Sequence, residues 1–130
     1  MAAMKLLVVD DEHPIVKHMD ALLTGWGHQV VSLCLDGELK PTDVLEQVKL
    51  QKFDVALVDN FKMPPLLGTD LPAQIKRLSP ATKIIIMDIA PLEPAVADAL
   101  RREGVAFKQL LLPFERIELI FAGVFCVPRN

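Results

Sequence analysis

The chain has no tyrosine, a single tryptophan and only two cysteines in 130 residues. Those cysteines, Cys34 and Cys126, stand far apart with no C-x-x-C spacing, so neither a zinc site nor a disulfide framework is indicated, and both read as small buried hydrophobes. No apolar run approaches the roughly 18 residues of a membrane span. The opening Met1 to Lys5 lacks the apolar stretch of a signal peptide, so the cytoplasm is the expected compartment and no membrane is expected as a partner. Basic residues are in no excess either: the formal net charge is −3 and the pI is near 5.5. Without a basic surface, direct nucleic-acid binding is not expected, and a role in handling proteins or small anions fits better. Internal repeats, low-complexity stretches and long linkers are also missing.

What the chain has is aliphatic character. Hydrophobic residues make up 52% of it and charged ones 24%, the profile of a folded soluble protein. A chain of this length forms one core and buries roughly two-thirds of the surface its unfolded form exposes. Short apolar runs alternate with longer segments of helical period, the rhythm of a parallel sheet with crossover helices. The predicted strands are Leu6 to Val9, Val30 to Cys34, Val55 to Val58, Ile84 to Met87 and Phe107 to Leu112, continuously apolar because both sheet faces are covered. Between them, Ile15, Met19, Leu22, Leu23 and Trp26 mark a first helix ended by Gly25 and Gly27. Thr42 or Asp43 caps a second through Leu45, Val48 and Leu50, and Thr69 or Asp70 a third through Leu71, Ile75 and Leu78. A fourth runs from Pro94 to Glu103 with Gly104 as its stop, and a fifth from Phe114 to Phe125. The pattern is therefore an α/β, doubly wound parallel sheet. Five βα units leave no room for a second domain, so residues 1–130 are expected to form one domain without an output domain.

In open sheets of this kind, ligands gather at the carboxyl ends of the strands. Asp10, Asp11 and Glu12 follow the first strand and Asp59 follows the third, so the fold converges several carboxylates on one edge. Each acid alone reads equally well as a helix cap. Together they are a set of oxygen ligands suited to a hard divalent cation such as Mg²⁺, which offsets their repulsion.

Lys5-Leu6-Leu7-Val8-Val9-Asp10-Asp11-Glu12 resembles the opening of response-regulator receiver domains of two-component systems. Phe53-Asp54-Val55-Ala56-Leu57-Val58-Asp59 resembles their third strand, and Met63-Pro64-Pro65-Leu66-Leu67-Gly68 their M-P-x-x-x-G loop. The resemblance implies a flavodoxin-like (βα)5 domain of strand order 2-1-3-4-5. It implies Mg²⁺ held by Asp10, Asp11, Asp59 and the Phe61 backbone carbonyl. It also implies a phosphoryl group accepted on Asp59 from a sensor histidine kinase or phosphotransfer protein, and a downstream regulatory protein as reader. Such a domain is a phosphoacceptor rather than an enzyme, although Mg²⁺-dependent self-phosphorylation from small phosphodonors is consistent with it.

The pattern also departs from the family. Three residues, Asn60-Phe61-Lys62, separate Asp59 from Met63-Pro64, where the family has two. Either the loop carries one extra residue or Asn60 falls on the acceptor position; the spacing from Phe53 favours Asp59. After the fourth strand, Asp88-Ile89 replaces the family's Ser or Thr and small residue, and Asp88 reads as a cap or a solvated loop acid. After the fifth strand, Leu112-Pro113 replaces Lys-Pro; Lys108 lies too early to substitute, and Lys62 could reach from the loop. Phe107 reads as core rather than as the family's switch aromatic. Two main functions remain open: a stand-alone receiver phosphorylated on Asp59, or a phosphorylation-independent pseudo-receiver that serves as an interaction module. A metal-dependent hydrolase on the same topology is the third. His13, His18 and His28 read as solvent-facing, Arg101 and Arg102 as a solvated helix end, and the apolar excess of the fifth helix as a partner or homodimer surface.

Overall fold

Leu6 to Val9, Val55 to Val58 and Ile84 to Met87 are entirely buried or nearly so, and runs this apolar and rich in β-branched residues form the central strands of a sheet covered on both faces. The structure, a computed structural model, describes residues 3–36, 39–59, 70–88, 94–102 and 107–111. Its elements follow in strict alternation: β1 (Lys5–Asp10), α1 (His13–Gly25), β2 (Gln29–Cys34), α2 (Pro41–Leu50), β3 (Val55–Asp59), α3 (Asp70–Leu78), β4 (Lys83–Asp88), α4 (Pro94–Arg102) and β5 (Phe107–Leu111). All five strands pair in parallel in the order β2-β1-β3-β4-β5, as expected from the sequence. The fifth helix, Cys126, Glu103, Gly104 and Leu112 lie outside the described residues. Among the described residues no helix is long and apolar enough to cross a membrane.

The period of two along each strand divides the core into two layers. Leu7, Val9, Ala56, Val58, Ile84 and Ile86 face Val44 and Val48 of α2, Ala73 and Ile75 of α3 and Leu100 of α4. Leu6, Val8, Val55, Leu57, Ile85 and Met87 face Met19 and Leu23 of α1. Each of the larger side chains among them contributes roughly 1.5–3 kcal/mol by leaving water, which is what holds the strands in register. Val16, absent from the expected first-helix stripe, is buried, whereas Trp26 is 41% exposed at the helix end.

Local chemistry sets the helix boundaries. Gly27, at φ +91°, adopts the left-handed conformation that stops α1. Its N–H donates to Thr24 O (2.9 Å) and the His28 N–H to Leu23 O (3.2 Å), so the last carbonyls of the helix are satisfied. At α2 the sequence expectation is corrected: Lys40 is the N-cap and Pro41 opens the helix, and Asp43 reaches back from the first turn to accept the Lys40 N–H at 2.7 Å. Proline is favoured there because its missing donor is one the helix cannot use.

The amino ends of the strands are tied by polar links. Asp54 accepts the Lys5 N–H on Oδ2 at 2.9 Å and donates its own N–H to Lys5 O at 2.8 Å. The hydroxyl of buried Thr82 donates to Phe53 O at 2.8 Å, and Lys76 Nζ donates to Thr82 O at 2.9 Å. Each net hydrogen bond adds about 1 kcal/mol, but leaving a buried partner unpaired would cost more.

An added Cβ meets no described atom within 4 Å at either Gly25 or Gly27, and only Gly27 has a positive φ. Gly27→Ala is therefore expected to destabilise the fold by about 1–2 kcal/mol through backbone conformation alone. Gly25→Ala, in the last helical turn, should leave stability unchanged or raise it by up to about 1 kcal/mol. Urea denaturation of the two variants measures both; equal effects at the two sites would contradict the turn geometry.

Candidate functional site

Parallel pairing of β1 with β3 sets Val9 opposite Val58, so the next residue of each strand, Asp10 and Asp59, emerges at the same sheet edge. Both acids are the last residues of their strands, where the sequence pattern had placed them just beyond. Asp11 follows in the turn into α1. One carboxylate oxygen from each of Asp10, Asp11 and Asp59 lies within 4.8 Å of the others. The trio expected from the sequence is thus brought together. Asp10 is buried, Asp59 half-buried and Asp11 exposed.

Burial dominates the electrostatics of Asp10. The residue is 1% exposed, and its carboxyl pKa is raised to about 7, first by desolvation, then by the charge of Asp59, with Asp11 adding to the effect. The Glu12 N–H, donating to Asp10 Oδ1 at 3.0 Å, acts in the opposite sense. Asp10 Oδ2 is buried and has no hydrogen-bond partner among the described residues. A buried carboxyl with one oxygen unpaired among the described residues, beside two further carboxylates, is a seat for positive charge: a proton, or a cation. The donor set is all oxygen, which fits Mg²⁺ and not a soft metal.

Other expectations resolve differently. Phe61, Asn60, Lys62, the Met63–Gly68 loop, Ile89 and Pro113 lie outside the described residues. Asp88 is the last residue of β4 and pairs in register with Leu111, which corrects its reading as a helix cap or loop acid. Strand pairing simply continues one residue further than the apolar run does. Lys108 sits near the start of β5, opposite Ile85, away from the acidic edge. Arg101 and Arg102 are exposed in the last turn of α4, as expected.

Two readings of single residues are overturned. Cys34 is half-buried rather than a core hydrophobe, because it ends β2 at the same open edge as the acids. Burial and the charge of Asp36 push its thiol pKa up, so it is not poised as a nucleophile. His28 is buried, its Nδ1 accepting the Met4 N–H at 3.1 Å, and burial lowers its pKa. His13 and His18 are exposed as expected, but His13 Nε2 lies 2.9 Å from Asp36 Oδ2. The grouping of His13, Cys34 and Asp36 was missed in the sequence. Its only signal there is positional: His13 opens α1, and Cys34 ends the strand that the fold places beside β1.

The sequence matches the family model described as "Response regulator receiver domain" over residues 6–121. It is 33% identical over 113 residues to the transcriptional regulatory protein ZraR of Salmonella typhimurium, covering 87% of this chain and 24% of that protein. The chain thus spans about a quarter of the length of that curated relative. The fold is similar to that of the Vibrio cholerae chemotaxis protein CheY4, with a TM-score of 0.75, 21% identity and coverage of 93% of this chain and 96% of that one. A CheY-like response regulator receiver domain protein from Methanospirillum hungatei matches with a TM-score of 0.75 and 21% identity, covering 92% of this chain and 90% of that one.

The raised pKa of Asp10 has a definite sign in folding. Between the ordinary carboxylate value of 3.8 and about 7 the folded state binds more protons at this site than the unfolded state does. The contribution of Asp10 to stability in a chelator should therefore be fullest below about pH 4, fall as pH rises towards 7, and level off above that, by a few kcal/mol at most. Asp10→Asn, which keeps an acceptor for the Glu12 N–H, should flatten this slope and be more stable than the parent at pH 8 by roughly 1–3 kcal/mol. Chemical denaturation at a series of pH values reads both; a parent stability that rises from pH 5 to 7 as steeply as in the variant would contradict the assignment.

Proposed function

Because the chain belongs to the response-regulator receiver family, a family of signalling domains rather than ordinary enzymes, we propose that it accepts a phosphoryl group on Asp59. The observation that carries this reading is the convergence of Asp10, Asp11 and Asp59, with a buried oxygen on Asp10 that has no hydrogen-bond partner among the described residues. Asp59 is half-buried at a strand end, where β3 fixes its backbone.

In this reading the donor is a phosphohistidine on a sensor histidine kinase or phosphotransfer protein, or a small acyl phosphate. An Asp59 oxygen attacks phosphorus, the bond from phosphorus to the donor breaks, and an acyl phosphate forms on the side chain. A bound Mg²⁺ supplies charge neutralisation and alignment of the phosphoryl oxygens. Asp10, Asp11 and Asp59, with the Phe61 carbonyl, are the groups that would hold it. A cation held there would favour the ionised form of Asp10, since its charge would offset both the burial and the neighbouring Asp59 charge that raise the carboxyl's pKa. The acyl phosphate carries a charge of about −1.5 to −2 in place of the carboxylate's −1 and adds phosphoryl acceptor oxygens, a change that can reorder nearby loops and be read by a downstream regulatory protein.

A second reading rests on the residues Asp88-Ile89 and Leu112-Pro113, which offer neither the hydroxyl nor the lysine that the family uses to grip the phosphoryl group. In it the domain docks partners without being phosphorylated. Incubation with acetyl phosphate and Mg²⁺, followed by intact-mass analysis, separates the two. The phosphoacceptor reading expects one covalent phosphoryl adduct that needs Mg²⁺ and disappears in Asp59→Asn. Mg²⁺ binding with no adduct, also after incubation with a phosphorylated histidine kinase, would leave the docking module.

A further inference from the structure

Across the β1–β2 pairing from the acidic edge lies a second, chemically different set of ligating side chains. His13 Nε2, Cys34 Sγ and an Asp36 carboxylate oxygen all lie within 4.8 Å of one another. They come from the first residue of α1, the last residue of β2 and the segment just beyond it. The His13 and Asp36 side chains are already held together at 2.9 Å. All three line one open recess of about 560 Å³, together with Leu39, Asp43 and Glu46.

We propose that His13, Cys34 and Asp36 form a binding site for a borderline divalent transition metal, Zn²⁺ or a relative of it. One imidazole nitrogen, one sulfur and one carboxylate oxygen make a donor set that Zn²⁺ and Co²⁺ accept. Mg²⁺, which is held by oxygen, does not suit it. With metal–ligand bonds of about 2.0–2.3 Å, tetrahedral donors stand roughly 3.3–3.7 Å apart. The nitrogen and oxygen need only separate slightly, and the sulfur, within 4.8 Å of both, approach by no more than about 1 Å. His13 is exposed and Asp36 nearly so, so neither is locked by packing. Three protein ligands leave the fourth position to water, facing the recess. Cys34 is the register partner of Asp10, so this site and the acidic one are adjacent, and donor hardness is what keeps their metals apart. The proposal does not depend on phosphorylation of Asp59.

Co²⁺ titration of the full chain in excess Mg²⁺ tests it, read by thiolate-to-cobalt charge-transfer absorption and d–d bands. Cys126→Ser serves as the background, so that Cys34 is the one thiol left. The expected result is a saturable signal at one equivalent, displaced by Zn²⁺ and unaffected by Mg²⁺. Cys34→Ser should abolish the charge-transfer band, and His13→Gln and Asp36→Asn should each weaken affinity about tenfold or more. Circular dichroism confirms that each variant is folded, and His13→Gln, at an exposed position, guards against loss of signal by misfolding. A band of unchanged affinity in both His13→Gln and Asp36→Asn would reduce the site to a lone thiolate and overturn the proposal. So would the absence of a saturable band, or its competition by Mg²⁺.

Discussion

The level pairing of β1 with β3 is the constraint on which the rest depends. With Val9 opposite Val58, the two strands end together, and their terminal acids share one edge. A slip of one residue would turn each strand's apolar set to the opposite layer. The two core layers, one against α1 and one against α2, α3 and α4, therefore enforce the register that builds the acidic cluster. Hydrophobic packing holds three carboxylates where their charges oppose it. The cost appears at Asp10, the most buried of them, as a carboxyl that retains its proton near neutrality.

The acids at the two ends of the sheet are placed differently. At the amino end, Asp54, Thr82 and Lys76 are satisfied by backbone and side-chain partners. At the carboxyl end, Asp10 Oδ2 is left without one among the described residues.

Element order was legible in the sequence because each apolar run is bounded by a recognisable stop and each helix keeps its period; the strand order followed only from the resemblance to receiver domains. The acidic trio was legible too, since two strand ends and one topology sufficed to bring Asp10, Asp11 and Asp59 together. Contacts that depend on the path of the chain after a strand were not. Cys34 looked like any small core residue until β2 was found to end at the open edge, and Asp36 lies beyond the strand, where no periodicity speaks. His28 was misread because its burial follows from the turn at Gly27. Asp88 was misread because a polar residue can prolong a ladder whose hydrogen bonds are made by the backbone. At α2 the capping carboxylate was named, but from the wrong position: Asp43 acts one turn inside the helix.

Trp26, the chain's one tryptophan, caps the end of α1 farthest from the acids, at the close of a helix of 13 residues. At 1.5 Å per residue this is roughly 20 Å of separation. Its indole is partly in water and sits too far away to sense a change of charge beside Asp10 directly. A shift in its emission during ligand binding would thus be a mechanical signal, carried along α1 as a rigid rod. A silent tryptophan would mean that the event stays confined to the edge where it happened. The molecule carries its own optical lever, and α1 is the arm.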